Sequence, residues 1–475
     1  MTIGIGINLS AKRRRSKMNI RILHTNDIHS RFEGFGKITS KIRGLKNENT
    51  LILDAGDFND FMRMELQGTG GRAGCSLLSI AGYDALAVGN NEGFAGLEIL
   101  ETMASAGLIP FISCNLYRND MSAIRGLNRS IIVDKGGIRF LIVGTTPSYN
   151  EFFSLLNMHA TDHVEEIRRE LEENKGKYDI CILLSHSGMR EDTELAGHLD
   201  GIDIIIGGHS HILMDEAKVI NNTIIHQSGG YGEHLGVLDI EVKDGKIASF
   251  REENIKVEDM PMDSAIADEL FRQKDIAIEV LSRPLYEVDR HIWHDVVEEN
   301  PLTNLLADAL ADVIPCDFSI INSGIISGGI RKGEVSNKKL LEISPSPLNP
   351  TYMEIKGKHI REALKQSLQA DVCLQDGKGS GFRGRYLGRL HLSQAVVEHD
   401  GREILRVKLE NGELEDEKIY RVSTSDYLQR GTGYASLANN QNERYNPEYT
   451  RDLLREYLNK KEFIEKCFTD RWIKI

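Results

Sequence analysis

Two α/β domains joined by a charged helical segment are what this chain predicts, on three observations. Its 475 residues exceed what one hydrophobic core usually serves. Short apolar runs alternate with helix-prone stretches through the first ~250 residues, the pattern of an α/β domain. That alternation stops over residues 254–286 and then restarts.

The runs at 20–23, 51–53, 85–88, 140–143, 180–184 and 202–206 are short, rich in Ile, Leu, Val and Ala, and soon followed by Gly, Asp, Asn or His. Each reads as a buried strand. Residues 254–286 are charged and helix-prone, with Pro261 near the start and Pro284 near the end, and read as a linker containing a helix. Beyond them the sequence predicts a helix at 301–310, a strand at 318–321, a helix at 360–368 and a strand at 420–423. No internal repeat or low-complexity tract stands out.

The formal net charge of -13 argues against a nucleic-acid polymer as partner, because phosphate neutralisation needs a clustered basic surface. An anionic substrate must then be attracted locally. The one basic cluster, Lys12 to Arg15 with Lys17, follows a short apolar stretch instead of preceding it, the wrong order for a secretory signal. Met18 stands directly before the first strand, so residues 1–17 are expected to be a disordered tail, or synthesis to start at Met18. No window reaches the ~18 apolar residues needed to cross a bilayer, so no membrane partner is expected. Cys75, Cys114, Cys181, Cys316, Cys373 and Cys467 are scattered without metal-binding spacing, which suits buried free thiols in a reducing cytoplasm.

Chemistry concentrates at the ends of the strand runs. Five of them are followed by metal-type ligands: Asp27 and His29, Asp57, Asn90, His186, then His209 and His211. Taken singly, an Asp there caps a helix and a His makes a structural hydrogen bond. Seven in one order point to a site, because α/β folds place their chemistry on the loops at strand ends. Carboxylate, amide and imidazole without Cys suit two divalent cations sharing one carboxylate, with Mn²⁺, Fe, Zn²⁺ or Mg²⁺ all chemically reasonable. Such a pair can hold a hydroxide, aim it at phosphorus and neutralise the phosphoryl oxygens.

Asp27-Ile28-His29, Gly56-Asp57, Gly89-Asn90, Ser185-His186 and Gly207-Gly208-His209-Ser210-His211 resemble the ordered signature of the calcineurin-like metallophosphoesterases. Leu23-His24-Thr25-Asn26-Asp27-Ile28-His29 and Tyr231-Gly232-Glu233-His234-Leu235-Gly236 narrow the resemblance to the 5′-nucleotidase family. It implies a four-layer αββα sandwich over 18–253, the linker at 254–286, and a smaller α/β substrate-binding domain over 287–475. It also implies that Asp27, His29 and His211 bind one metal, that Asn90, His186 and His209 bind the other, and that Asp57 bridges them.

Where the family carries Asn-His-Glu followed by Phe-Asp, this chain reads Asn90-Asn91-Glu92-Gly93-Phe94. The family His that contacts phosphate and assists the leaving group is Asn91, and its Asp partner aligns with Phe94. An amide donates a hydrogen bond but delivers no proton, and general acid catalysis is typically worth ~10²–10⁴-fold. The alternatives are slow hydrolysis, a preference for better leaving groups, a substitute donor such as His24, or a binding or regulatory homologue with weakened catalysis.

The second half resembles the family's substrate-binding domain. The segment from Asn300 to Ala309 is similar to its first helix. Asn322-Ser323-Gly324 and Gly328-Gly329-Ile330-Arg331 are similar to its Asn/Gly-rich loop and arginine, split by an insertion. The resemblance makes Asn322 and Arg331 substrate contacts, Arg331 through a guanidinium fork that matches phosphate oxygens. The family sandwiches a nucleobase between two aromatic rings. Tyr427, before Gly431-Thr432-Gly433-Tyr434, matches the second. The first falls in Ser344-Pro345-Ser346-Pro347-Leu348-Asn349-Pro350, which has no Phe, and Phe382 is the substitute. The expected function is hydrolysis of a small phosphate ester such as a nucleotide or a similar compound, with phosphodiesterase action on cyclic nucleotides or nucleotide sugars as the alternative.

Overall fold

The computed structural model describes residues 17–379 and 381–475. The expected tail therefore lies outside the described residues, apart from Lys17. The chain divides into two compact units, residues 1–274 and 275–475.

In the first unit the period-2 alternation of the strand runs sorts side chains into three cores, and these define four layers. Strands Met18–Thr25, Thr50–Asp54, Ala85–Ala87 and Phe111–Ile112 run parallel in a seven-stranded sheet. Strands Ile138–Thr145, Ile180–Ser185 and Ile204–Gly207 run parallel in a six-stranded one. Ile20, Ile22, Leu51 and Leu53 from the first sheet share a core with Phe140, Ile142, Ile182, Leu184, Ile204 and Ile206 from the second. The intervening residues face outward. Leu23 and Ile52 pack under helices Phe32–Leu45, Arg72–Ala81 and Leu97–Ala104. Leu141, Val143, Leu183 and Ile205 pack under helices His163–Glu173 and Met189–His198. Because successive strand side chains point to opposite faces, each run is buried on both sides, which is why the sequence reads as nearly continuous hydrophobics. This is the αββα sandwich expected.

Strand Lys246–Lys256 runs past residue 253, because it pairs with His234–Lys243 along its length and Asn254 donates to the carbonyls of Met214 and Gln227. The helix of the linker segment spans Ser264–Leu281, and the division between the units falls inside it.

The second unit is built around a five-stranded mixed sheet of Leu390–Ser393, Phe318–Asn322, Ile419–Ser425, Pro350–Lys356 and Asn440–Tyr445. Helix Pro301–Val313 is started by the Asn300 side chain, which accepts from the Thr303 N–H, and by Pro301 at its first turn. It supplies Leu302, Leu305, Leu306, Ala309 and Leu310 to the core. Among the described residues, no helix is long and apolar enough to cross a membrane.

Candidate metal centre

The expected ligands follow the C-terminal ends of parallel strands in both sheets of the first unit, and their backbones hold them together. Asp27 N–H donates to the Gly56 carbonyl and His29 N–H to the Asp57 carbonyl, both at 2.9 Å. Gly208 N–H reaches the Ser185 carbonyl at 2.8 Å. A Cβ at Gly89 would lie 2.1 Å from Asp57 Oδ1, so only glycine lets these two loops approach. Asp27, His29, Asp57, His209 and His211 all have left-handed backbones, with φ between 46° and 68°. Each non-glycine residue held there costs on the order of 1–3 kcal/mol, and such strain gathers at functional sites.

The side chains meet accordingly. Ligand atoms of Asp27, His29 and His211 lie within 4.8 Å of one another, as do those of Asp27, Asp57 and His186. Asp57 faces both sets: its Oδ2 is 3.8 Å from His29 Nε2 and its Oδ1 is 3.3 Å from His186 Nε2. Asn90 Oδ1 lies 2.9 Å from His209 Nδ1. His186 Nδ1 is held at 2.8 Å by the Ala55 carbonyl, so that nitrogen carries the hydrogen and Nε2 is directed at the carboxylates. That Nε2 is buried, and its 3.3 Å approach to Asp57 Oδ1 is an ion-pair contact without good hydrogen-bond geometry. An orphaned imidazole nitrogen among carboxylate oxygens is what a divalent cation satisfies, and the donor set fits one. Burial disfavours charge on His186, but Asp57 and then Asp27 outweigh it and push the pKa up to about 10. In the metal-free protein an imidazolium therefore supplies the positive charge.

Three residues not read from the sequence organise the centre. Glu92 is buried, and its carboxylate accepts the backbone N–H groups of Asp57, Asn59 and Gly89 at 2.9–3.0 Å. Asn26 donates to Asp27 Oδ2 at 2.7 Å and to the Gly229 carbonyl at 2.6 Å, fixing the Asp27 carboxylate. Tyr149 places its hydroxyl 3.2 Å from His209 Nε2. Glu92 and Asn26 stand inside the motifs that carry the ligands. Tyr149 follows strand Ile138–Thr145, whose loop holds no expected ligand.

The remaining expectations fare differently. Asn91 lies at the centre, with its amide nitrogen 2.8 Å from His29 Nδ1. Phe94 packs in an aromatic group with Tyr149, Phe152 and Phe153. His24 does not suit the part of substitute proton donor. It is fully buried, its Nε2 is 2.7 Å from His226 Nδ1, and burial followed by His226 holds its pKa well below the ordinary value. It carries no acidic proton to give.

In the second unit, Phe382 and Tyr427 come together but stack on each other, with centroids 4.8 Å apart at 25°. Tyr427 is fully buried, so neither ring face is open to a base in this conformation. Asn322 is also fully buried and donates to the Leu387 carbonyl, with its Oδ1 unpartnered among the described residues. Arg331 is exposed and lines a cavity of about 600 Å³ with His291, Trp293, His294, Lys332, Glu334 and Lys339.

Residues 20–213 match the calcineurin-like phosphoesterase family, and residues 278–439 match the 5′-nucleotidase C-terminal domain. The chain is 30% identical over 456 residues to the uncharacterized metallophosphoesterase YunD of Bacillus subtilis, covering 92% of this chain and 98% of that protein. It is 23% identical over 496 residues to the 5′-nucleotidase of Mus musculus, covering 88% and 83%. Among solved structures, the NAD nucleotidase of Haemophilus influenzae has the same fold, with a TM-score of 0.67 at 17% identity over 97% of this chain and 100% of that one. The 5′-nucleotidase precursor of Thermus thermophilus gives 0.58 at 22% identity over 96% and 99%. The chain belongs to the calcineurin-like metallophosphoesterases that carry a 5′-nucleotidase C-terminal domain, and it is a metal-dependent hydrolase of phosphate esters.

Proposed function

We propose that this chain hydrolyses nucleotides or similar small phosphate compounds at two divalent cations, one held by Asp27, His29 and His211, the other by Asn90, His186 and His209, with Asp57 shared. The observation that carries this reading is Asp57, whose two oxygens face the two ligand sets. When bound, the cations supply charge neutralisation and activation of water. The protein's own groups orient the ligands: Asn26 holds Asp27, the Ala55 carbonyl holds His186, and Glu92 fixes the loops of Asp57 and Gly89. Asn91, at the place of the family His, has no proton to deliver, which favours substrates with good leaving groups.

The closed Phe382–Tyr427 stack argues against a base sandwich as the specificity device in this conformation. Within the second unit, the cavity around Arg331 is the better candidate for binding an anionic group. Arg331, Lys332 and Lys339 have no ion-pair partner among the described residues, and Trp293 is 40% exposed beside them. The cytoplasm is the proposed location, since all six cysteines are free thiols and five are buried.

A panel of 5′-, 3′- and cyclic nucleotides, nucleotide sugars and aryl phosphates, assayed with Mn²⁺, Zn²⁺, Fe²⁺ and Mg²⁺, tests the reading. Turnover of a nucleotide or a related small phosphate supports it. Stoichiometric nucleotide binding without hydrolysis under any metal would instead favour a regulatory homologue.

A further inference from the structure

The aromatic group beside the centre does more than fill space. His209 has two ring nitrogens with different neighbours: Nδ1 lies 2.9 Å from Asn90 Oδ1, and Nε2 lies 3.2 Å from the Tyr149 hydroxyl. In the metal-free protein Nδ1 and Asn90 Oδ1 share a hydrogen bond, and on the two-cation reading above both are ligand atoms of one cation. The other nitrogen of a ligating histidine almost always donates to a fixed acceptor, which sets the tautomer and the ring orientation. The Ala55 carbonyl does this for His186. For His209, the hydrogen-bond partner found at Nε2 is the Tyr149 hydroxyl.

Tyr149 is itself held from one side. Its ring packs edge-on against Phe94, with centroids 5.6 Å apart at 71°, and against Phe153 at 6.4 Å and 82°. Phe94 in turn packs against Phe152 and Phe153. The Tyr149 and His209 rings meet at 5.9 Å and 62°. Phe94 thus occupies the position aligned with the acidic residue of the family pattern and supports a tyrosine.

We propose that Tyr149 is a positioning residue for His209. With the cation bound at Nδ1, the Tyr149 hydroxyl accepts the Nε2 hydrogen and holds that tautomer, while Phe94 fixes the tyrosine ring. The inference rests on the two-cation reading above and concerns the cation set that contains His209.

Calorimetric titration of the metal-free full chain with Mn²⁺ separates the two. The wild type is expected to take up two ions. Tyr149→Phe keeps the ring and removes only the hydroxyl. It should weaken one of the two sites by roughly 10–100-fold, the usual effect of losing an outer hydrogen-bond partner, and leave the other within about twofold. The melting temperature of the metal-free protein should not change. Phe94→Ala should weaken the same site, and less. Unchanged affinities in Tyr149→Phe would overturn the proposal, as would equal losses at both sites with a lower melting temperature. If the wild type bound a single ion, the two-cation reading would fall. Tyr149→Phe would then still have to weaken that one site, or the positioning role would fall as well.

Discussion

His186 sets the electrostatics of the centre at the scale of a single residue. Its pKa of about 10 lies above the ordinary histidine value, so below that pH the metal-free protein keeps a proton on the ring. A cation needs the Nε2 lone pair, so metal uptake must expel that proton, and affinity should climb as pH rises towards 10. Calorimetry near neutral pH in buffers of different ionisation enthalpy should register about one proton released from this residue. No release would contradict the assignment. Asp57→Asn removes the charge that faces both ligand sets. Metal analysis should find at most one tightly bound ion, with activity down by more than about 100-fold, beyond the effect of losing an outer partner. Asn91→His should raise turnover of substrates with alkoxide leaving groups more than of those with phenolate leaving groups, since only the former need a proton. The gain should fall short of the ~10²–10⁴-fold of full acid catalysis, because Phe94 offers no carboxylate to orient the new ring. Equal effects on both substrate types would count against the argument.

The centre depends on elements as much as on ligands, because the strand ends bring loops from two sheets to one place. Gly89→Ala tests this: its Cβ would meet Asp57 Oδ1 at 2.1 Å, so the loop must shift. The expected result is a loss of about 1–3 kcal/mol in stability, the usual cost of overpacking, together with weaker metal binding. A melting curve and a metal titration identical to wild type would contradict it. The same elements explain what was legible in the sequence. Strand runs buried on both faces stand out as hydrophobic blocks, and a ligand directly after such a block needs no tertiary knowledge to be noticed. Tyr149 escaped because it lies four residues beyond strand Ile138–Thr145 and acts through His209, a contact set by packing around Phe94. The pairing of His24 with His226 across 202 residues has no local signal in the sequence.

At the scale of the whole molecule, the two units were legible to different degrees. The first carries its site in short motifs. In the second, the expected substrate contacts depend on how distant loops pack, and there Asn322 and Tyr427 are buried. Tyr427→Ala should therefore cost about 3–5 kcal/mol, as removal of a buried aromatic ring does, and denaturant unfolding should report it while metal stoichiometry holds. A stable variant with weakened nucleotide affinity alone would mean that the stack opens to admit a base. The central claim is the shared carboxylate, and an anomalous-difference crystal structure of the Mn²⁺-loaded full chain tests it most directly. The account predicts two Mn²⁺ peaks about 3.5–4 Å apart, one on each side of Asp57 and both contacting it. A single peak, or two peaks with Asp57 contacting only one, would contradict it.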